Sequence, residues 1–236
     1  MKKIDLHIHT VQTISDRPFT YSLDTFKKYV SEARLDAVAV TNHDRFDGAQ
    51  FREIRDAIGI PVFPGIEINV EGGHLLVIAD TVVLEDFEAK TARIAHKIAK
   101  VGDYITIEEL KAVFGDLNDY LVIPHYEKGP SLSAATLEKL KPYVFAGEVD
   151  SAKKFFRLSK DTAKLTPVLF SDGRMQKELE RLPTRQTYID CGPVTLDAIR
   201  ACLRDRTKVV LSEGDGNKLW QALPGQMLST GLNVLL

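Results

Sequence analysis

The sequence predicts an α/β protein whose helices surround a mostly parallel sheet. Short runs rich in β-branched side chains alternate with amphipathic segments along the 236 residues, the pattern of repeated βα units. No glycine-rich GxGxxG turn follows the first predicted strand, which disfavours a dinucleotide-binding sheet. A closed barrel and an open doubly wound sheet both fit this pattern. In either architecture, functional side chains gather where the strands end.

The predicted strands are short apolar runs, and the predicted helices carry apolar residues at helical spacing. The strands are Lys3–Ile8, Ala37–Thr41, Val62–Ile68, Leu75–Ala79, Leu121–Pro124, Phe145–Val149, Val168–Phe170, Thr187–Ile189 and Val209–Leu211. The helices are Leu23–Ala33, Gly48–Ile58, Glu85–Lys100, Ile107–Phe114, Ala134–Leu140, Ala152–Lys164 and Leu196–Arg204. Five helices follow a residue suited to cap them, namely Ser22, Thr106, Ser133, Ser151 and Thr195.

Composition excludes several classes of protein. The formal net charge of −2 and the pI near 6.3 give no global basic field for nucleic acid or anionic lipid. No apolar run is long enough to span a membrane, and the first ten residues lack the apolar core of a signal peptide. Cys191 and Cys202 form neither a disulfide framework nor a paired metal motif. We therefore expect a cytoplasmic protein with no membrane partner. Without an internal repeat or linker, one domain over residues 1–236 is predicted.

Five of the six histidines lie at or beside predicted strands. On the first strand, His7 and His9 are two residues apart and therefore project to the same face. Two imidazoles at a strand end form half of a transition-metal site, and a hydrogen-bonded pair of core histidines is the alternative. His96 lies in a predicted helix and is predicted to be a surface residue.

Carboxylates and further histidines follow at later strand ends. Glu67 lies between Ile66 and Ile68, where a carboxylate is costly unless a lysine or arginine pairs with it or a metal binds it. Asp16 is either a metal ligand or a turn residue before Pro18. Imidazoles with hard carboxylates suit Zn, Mn or Fe, and a carboxylate such as Glu67 can bridge two ions. The candidates at this rim are His7, His9, Asp16, His43, Asp44, Glu67, His74, His125 and Asp172.

The ordered motifs IDLHIHT, TNHD, GIEI with a following GHLL, IPH and SDG resemble those of the polymerase-and-histidinol-phosphatase (PHP) superfamily. This resemblance implies a distorted (βα)7 TIM-like barrel that hydrolyses phosphoesters with two or three metal ions. The ligands it implies for one ion are His7, His9, Glu67 and Asp172. Those for a second are Glu67, His74 and His125, with Glu67 bridging, and Asp16 and His43 match ligands of a third.

The chain departs from the family at Arg174. The last family motif usually reads Asp-x-His, and here it reads Asp172-Gly173-Arg174. Because arginine stays protonated and does not ligate metals, we expect two divalent transition-metal ions (Mn, Zn or Fe) and a third site that is weak, empty or replaced. The guanidinium suits direct contact with a phosphate oxygen. The alternative is that Arg174 marks a degraded site in a less active relative.

A second resemblance covers the closing segment 185–236. TYIDCGPVTLDAIRACLRDRTKVVLSEG is similar to the segment that closes the PHP domain in proteins that fuse it to an ABC- or SMC-like ATPase. The last residues, STGLNVLL, resemble the strand that follows in those fusions, although no GxxxxGK[ST] motif is present in the sequence. This resemblance implies a fused or associated ATPase partner. An ordinary final strand is the alternative.

The sequence therefore predicts a hydrolase of phosphoester bonds that uses metal-activated hydroxide. Arg174 and Asp44 are the predicted catalytic residues. Arg17, Arg45 and Lys128, together with Arg174, are predicted to hold the substrate. That substrate is either a phosphomonoester or a phosphodiester of a nucleotide or nucleic acid. The alternative function is a catalytically weak metal- or nucleic-acid-binding module that regulates a larger ATPase.

Overall fold

The computed structural model describes residues 1–177 and 186–212. Of the predicted closing segment 185–236, residues 185 and 213–236 lie outside the described residues. The described strands are β1 Lys2–His9, β2 Ala37–Val40, β3 Val62–Val70, β4 Gly73–Ile78, β5 Leu121–Glu127, β6 Ala146–Val149, β7 Thr166–Val168, β8 Gly173–Arg174, β9 Gln186–Ile189 and β10 Val209–Ser212. The described helices are α1 Leu23–Glu32, α2 Gly48–Ala57, α3 Leu84–Lys97, α4 Ile107–Phe114, α5 Ala134–Leu140, α6 Ala152–Ser159 and α7 Leu196–Leu203.

The strands form one sheet with the order β10-β9-β1-β2-β3-β4-β5-β6-β7. As expected from βα repeats, β2 pairs in parallel with β1 and β3, and β6 pairs in parallel with β5 and β7. The parallel pairing is interrupted at β4, which runs antiparallel to both neighbours. The cause is local, because only Glu71 and Gly72 connect β3 to β4, and a two-residue turn can join antiparallel strands only. Gly72 has a φ of +82°, a conformation that favours glycine.

The sheet closes on itself at β1, which pairs with β8 as well as with β9. The short strand β8 continues the β7 segment and pairs in parallel with the end of β1, whereas β9 pairs antiparallel with its start. Between these contacts, the Thr187 hydroxyl accepts a hydrogen bond from the Leu169 amide and donates one to the Leu169 carbonyl. The sheet is therefore a nearly closed barrel. This geometry confirms the barrel and excludes the open doubly wound sheet.

The predicted helix starts are confirmed by their caps. The side chains of Ser22, Thr106, Ser133, Ser151 and Thr195 each accept a hydrogen bond from a backbone amide in the first turn. Two helices, α3 and α6, end three or more residues earlier than predicted. After α3, the Asp103 carboxylate binds the amides of Ala99 and Lys100 and stops the helix, and after α6 the Asp161 carboxylate binds the Ala163 amide. No described helix is long and apolar enough to cross a membrane.

Buried apolar side chains surround the barrel wall on both faces. One cluster fills the interior, where Ile4 and Leu6 of β1 meet Leu76 and Ile78 of β4, and it continues to α6 and α7. Two further clusters pack α1 and α2, and α3 to α5, against the outside of the sheet. The carboxyl end of the barrel, by contrast, is lined by buried polar side chains. That end holds the candidate site.

Candidate metal centre

The eight predicted metal ligands converge at the carboxyl end of the barrel. Their donor atoms fall into four overlapping groups, and within each group the atoms lie within 4.8 Å of one another. The loop after β2 reaches this end because it extends the pairing with β3. There, the Asp44 amide donates to the Glu67 carbonyl at 2.7 Å and the Glu67 amide donates to the Asn42 carbonyl at 3.0 Å. The groups are His7, His9, Glu67 and Asp172; His7, His125 and Glu148; His9, Asp16 and His43; and His43, Glu67 and His74.

A β-bulge in β1 directs the first two histidines into the barrel. The step from Asp5 to Ile8 spans three residues, and the facing step on β2 spans two. Before the bulge, Asp5 faces outward and accepts a 2.5 Å hydrogen bond from the Tyr29 hydroxyl of α1. Beyond it, Ile8 faces outward, and the histidines on either side of Ile8 face the site. A similar irregularity follows His125 on β5. Bulges of this kind re-aim side chains next to functional sites.

The first ligand group has the dimensions of a metal site. The Glu67 Oε2 atom lies 3.0 Å from His7 Nε2 and 3.3 Å from His9 Nε2. Asp172 Oδ1 lies 3.0 Å from His9 Nε2, and the two histidine Nε2 atoms are 3.1 Å apart. Ligands of a tetrahedral zinc ion are separated by roughly 3.3 Å, the edge that follows from metal–ligand distances near 2.0–2.1 Å. These four residues therefore fit one ion.

Glu67 faces a histidine with each oxygen. Its Oε1 atom lies 2.7 Å from His74 Nδ1 and 3.2 Å from His125 Nε2. Its Oε2 atom lies 3.0 Å from His43 Nδ1, in addition to the contacts with the first group. The side chain is buried. A bridging carboxylate would have this surrounding. His74 and His125 each lie near Glu67 but fall into different ligand groups, so the predicted second set stays a prediction.

Arg174 lies beside Asp16 and His43, the ligands predicted for a third ion. Its Nη2 and Nε atoms are 2.8 and 3.0 Å from Asp16 Oδ1, and its Nη1 atom is 3.1 Å from both Asp172 Oδ1 and the Asp172 carbonyl. Nη2 is also 3.4 Å from His43 Nε2. Every nitrogen of the guanidinium thus faces a protein acceptor. Asp16 Oδ1 lies 3.9 Å from His43 Nε2, but the Asp16 carboxylate is already paired with Arg174.

Glu148 on β6 was not predicted from the sequence and belongs to the site. It is fully buried, and its Oε2 atom lies 2.8 Å from His7 Nδ1. Its Oε1 atom accepts a hydrogen bond from the Lys128 ammonium at 2.9 Å. The signal that singled out Glu67, a carboxylate inside an apolar strand, is also present in the AGEV segment of β6. Lys128, predicted to hold substrate, is buried between Glu148 and Asp172.

The protonation states of His43, His125 and Glu67 suit metal ligands, whereas His7 must release a proton before it can bind a metal. Burial lowers the pKa of His43 to about 4 and that of His125 to about 3, so both rings are neutral at pH 7. Burial alone would lower the pKa of His7 as well, but nearby carboxylates, Glu148 above all, raise it to about 10. For Glu67 the histidines outweigh burial and hold the pKa of the carboxyl well below its usual range. Carboxylates are ionised here while two rings are neutral, as metal binding requires.

Asp44 is a buried carboxylate in a left-handed backbone conformation, with φ +52°. Its Oδ1 atom accepts a hydrogen bond from the Asn69 amide at 2.7 Å, and its Oδ2 atom has no hydrogen-bond partner among the described residues. Burial raises the pKa of this carboxyl to about 7. Arg45 and Arg17 are exposed, and neither forms an ion pair within the part of the chain that the structure describes.

Two open cavities meet at His43. One, of about 440 Å³, lies over the ligands and is lined by Glu67, His74, His125 and Asp172. The other, of about 590 Å³, extends to Asp44, Arg45 and the last turns of α3. His96, exposed on α3 as predicted, lines this second cavity. The candidate ligands are therefore open to solvent.

The residues present fit a bound metal. Several buried ring nitrogens, including His9 Nδ1 and both nitrogens of His125, have no hydrogen-bond partner among the described residues. Two imidazole nitrogens 3.1 Å apart, both within 3.3 Å of one ionised carboxylate, are satisfied together by a shared cation. Ligand groups that combine histidine nitrogens with carboxylate oxygens suit Zn, Mn or Fe.

Comparison with known proteins identifies the fold. No family model matches the chain, and no curated protein is significantly similar to it. A two-domain protein from Bacteroides vulgatus, which contains a predicted PHP-like metal-dependent phosphoesterase, aligns with 89% of this chain at 15% identity and a TM-score of 0.59. The chain spans 64% of that protein's length.

A second solved structure gives the same result. A protein from Bifidobacterium adolescentis, named as a candidate metal-dependent phosphoesterase, aligns with 85% of this chain and is itself 95% covered. The identity is 16% and the TM-score 0.51. At such identities the likeness establishes the fold. The chain has the PHP-like α/β barrel, as its motifs predicted.

Proposed function

We propose that this protein is a metal-dependent phosphoesterase. The observation that carries the proposal is Glu67, a buried carboxylate whose oxygens lie within 3.3 Å of the ring nitrogens of five histidines. A carboxylate surrounded in this way suits a two-metal centre. The PHP-like fold supports the proposal, since one similar structure is named as containing a predicted metal-dependent phosphoesterase and the other as a candidate one.

Each ion would have its own ligands and share Glu67. Bound Mn, Zn or Fe ions supply a water of lowered pKa and neutralise charge on the phosphoryl group. The ligands proposed for the first ion are His7, His9, Glu67 and Asp172. Those proposed for the second are Glu67, His74 and His125.

Asp44 and Arg45 are proposed to act on the substrate from the adjoining cavity. The Asp44 carboxyl has a free buried oxygen and a pKa near the working pH, which suits proton transfer to the leaving oxygen. Arg45 and Arg17 carry exposed guanidinium groups that suit the non-bridging phosphate oxygens. The cavity admits either a phosphomonoester or a nucleotide or nucleic-acid phosphodiester.

The test is turnover of an aryl phosphate and a bis-aryl phosphodiester. We expect the chelated protein to hydrolyse neither, and Mn²⁺, Zn²⁺ or Fe²⁺ to restore hydrolysis of at least one. Asp44→Asn should keep the metal content and lower turnover by about 100-fold, the usual loss of a proton-transfer group. The ratio of the two rates distinguishes phosphatase from nuclease chemistry. Bound metal without turnover of either substrate would favour the alternative, a metal- or nucleic-acid-binding module that works with an ATPase.

Arg174 is proposed to replace the third ion. Its guanidinium neutralises Asp16 and Asp172 and leaves no nitrogen facing away from protein acceptors. We therefore expect elemental analysis to find about two ions per chain in the wild type and a third in Arg174→His, because the family residue restores a donor.

The kinetics of the same variants decide whether Arg174 also contacts the substrate. If Arg174 releases a carboxylate to hold phosphate, Arg174→Ala lowers turnover with both ions retained, and Arg174→His lowers it even with a third ion bound. If Arg174 marks a degraded site, Arg174→His raises turnover. Three tightly held ions in the wild type would contradict the replacement.

A further inference from the structure

A buried ion pair, Lys128 with Glu148, adjoins the candidate metal ligands. Neither residue was predicted as a metal ligand. Lys128 Nζ is 2.9 Å from Glu148 Oε1 and 3.0 Å from Asp172 Oδ2. Glu148 is fully buried and Lys128 is 8% exposed, so water screens neither charge. Removing such charges from water is costly unless each one is paired with good geometry. The pair is therefore a built feature of the site that needs a reason.

One reading makes Glu148 a metal ligand together with His7 and His125, because their donor atoms lie within 4.8 Å of one another. The position of Lys128 opposes that reading. Its ammonium is 2.9 Å from Glu148 Oε1 and 3.0 Å from His7 Nδ1, so a positive charge already lies beside both groups. A divalent ion there would be repelled at short range in a site of low dielectric constant.

The orientation of His7 gives Glu148 another role. The His7 Nε2 atom faces His9 and Glu67, which leaves Nδ1 to face Glu148 Oε2 at 2.8 Å. A ring that ligates through Nε2 carries its proton on Nδ1, and that proton is donated to an outer carboxylate. Lys128 in turn holds the second oxygen of this carboxylate and reaches Asp172, another candidate ligand.

We propose that Lys128 and Glu148 are positioning residues of the metal centre. Glu148 fixes the tautomer and orientation of His7, and Lys128 fixes Glu148 and Asp172 while its ammonium excludes an extra ion from the space beside them. This inference rests on the proposed metal centre and adds two residues to it. Under this proposal Lys128 positions Glu148 and Asp172, whereas the sequence analysis predicted that it holds the substrate.

The experiment measures metal affinity rather than activity. Glu148→Gln and Lys128→Met are made in the full chain, and each is titrated with Zn²⁺ or Co²⁺ against a chromophoric chelator. We expect each variant to keep the wild-type number of ions and to bind them about 10- to 100-fold more weakly. The visible spectrum of bound Co²⁺ should also shift as His7 reorients. Glu138→Gln is the matched control, because it removes an exposed carboxylate that pairs with Lys141 at α5, a helix that contributes no candidate ligand, and it should bind like the wild type.

The double variant Glu148→Gln/Lys128→Met protects the test against misfolding, since it leaves no unpaired buried charge. It too should bind metal more weakly with an unchanged ion count. Loss of one whole ion in Glu148→Gln would make Glu148 a ligand and overturn the proposal. Wild-type affinity and spectrum in the double variant would overturn it as well. A wild-type chain that binds no metal would instead defeat the proposed function, so the two failures are distinct.

Discussion

Glu67→Gln is expected to remove most of the bound metal and to lower hydrolysis by more than about 100-fold, beyond the loss typical of an outer hydrogen-bond partner. Glutamine keeps the shape but loses the charge, and only one of its terminal atoms can ligate a metal. Both oxygens of Glu67 face histidine nitrogens, so a single substitution weakens both proposed ligand sets. Metal content by elemental analysis and turnover of the restored enzyme measure the effect.

His43→Ala is the comparison variant for this prediction. His43 contacts Glu67 through Nδ1 but lies beside Arg174, where the third ion is not expected. Its loss should therefore release less metal than Glu67→Gln and lower the melting temperature less, because bound metal stabilises the folded state by mass action. Equal losses from the two variants would argue that Glu67 does not bridge.

The metal-free protein is expected to be most stable near about pH 6 and to lose stability on both sides. Below the unfolded histidine pKa of 6.5, the unfolded chain takes up protons on His43 and His125, whose folded pKa values are about 4 and about 3, so stability falls with pH. Above pH 6.5, the folded state keeps a proton on His7 until about pH 10, so stability is lost as pH rises.

Asp44 acts in the opposite sense to the two neutral histidines. Its folded pKa of about 7 exceeds the unfolded value of 3.8, so its contribution is present at low pH and is lost as pH rises through 7. The net loss from pH 6 to pH 4.5 is then on the order of 1 kcal/mol, since one proton amounts to about 1.4 kcal/mol per pH unit. Denaturant unfolding of the chelated protein measures it. Asp44→Asn should move the optimum upward by about half a pH unit, and an unmoved optimum would contradict the assignment.

Much of the fold, and the gathering of the candidate ligands at one end of the barrel, follows from local sequence. The helix caps are hydrogen bonds within four residues, and the strand ends are marked by single residues after apolar runs, so both are visible in one segment of chain. The place of His7 and His9 on one face follows from strand geometry alone. These are the features that the structure bears out.

The remaining features depend on contacts between distant segments. The antiparallel position of β4 is set by a two-residue turn, whose effect on the whole sheet is not local. The pairing of Arg174 with Asp16 joins residues 158 positions apart. The role of Glu148 appears only when β6 lies beside β5, and the bulge that turns His7 inward is a property of the pairing between β1 and β2. The residue pattern within one strand does not predict how that strand pairs with distant segments.

The closure of the barrel at β1 has a consequence for the order of folding. Asp172 reaches the histidines of β1 only when the strand β8 pairs with β1, and nearby the Ser171 amide donates to Asp5 across 166 residues. A contact of such sequence separation carries a large loop-closure entropy and forms slowly compared with local structure. An intermediate in which this seam is still open lacks a complete first ligand group. We therefore expect high-affinity binding of the proposed metal to occur late in folding, after the seam between β1 and β8 has closed.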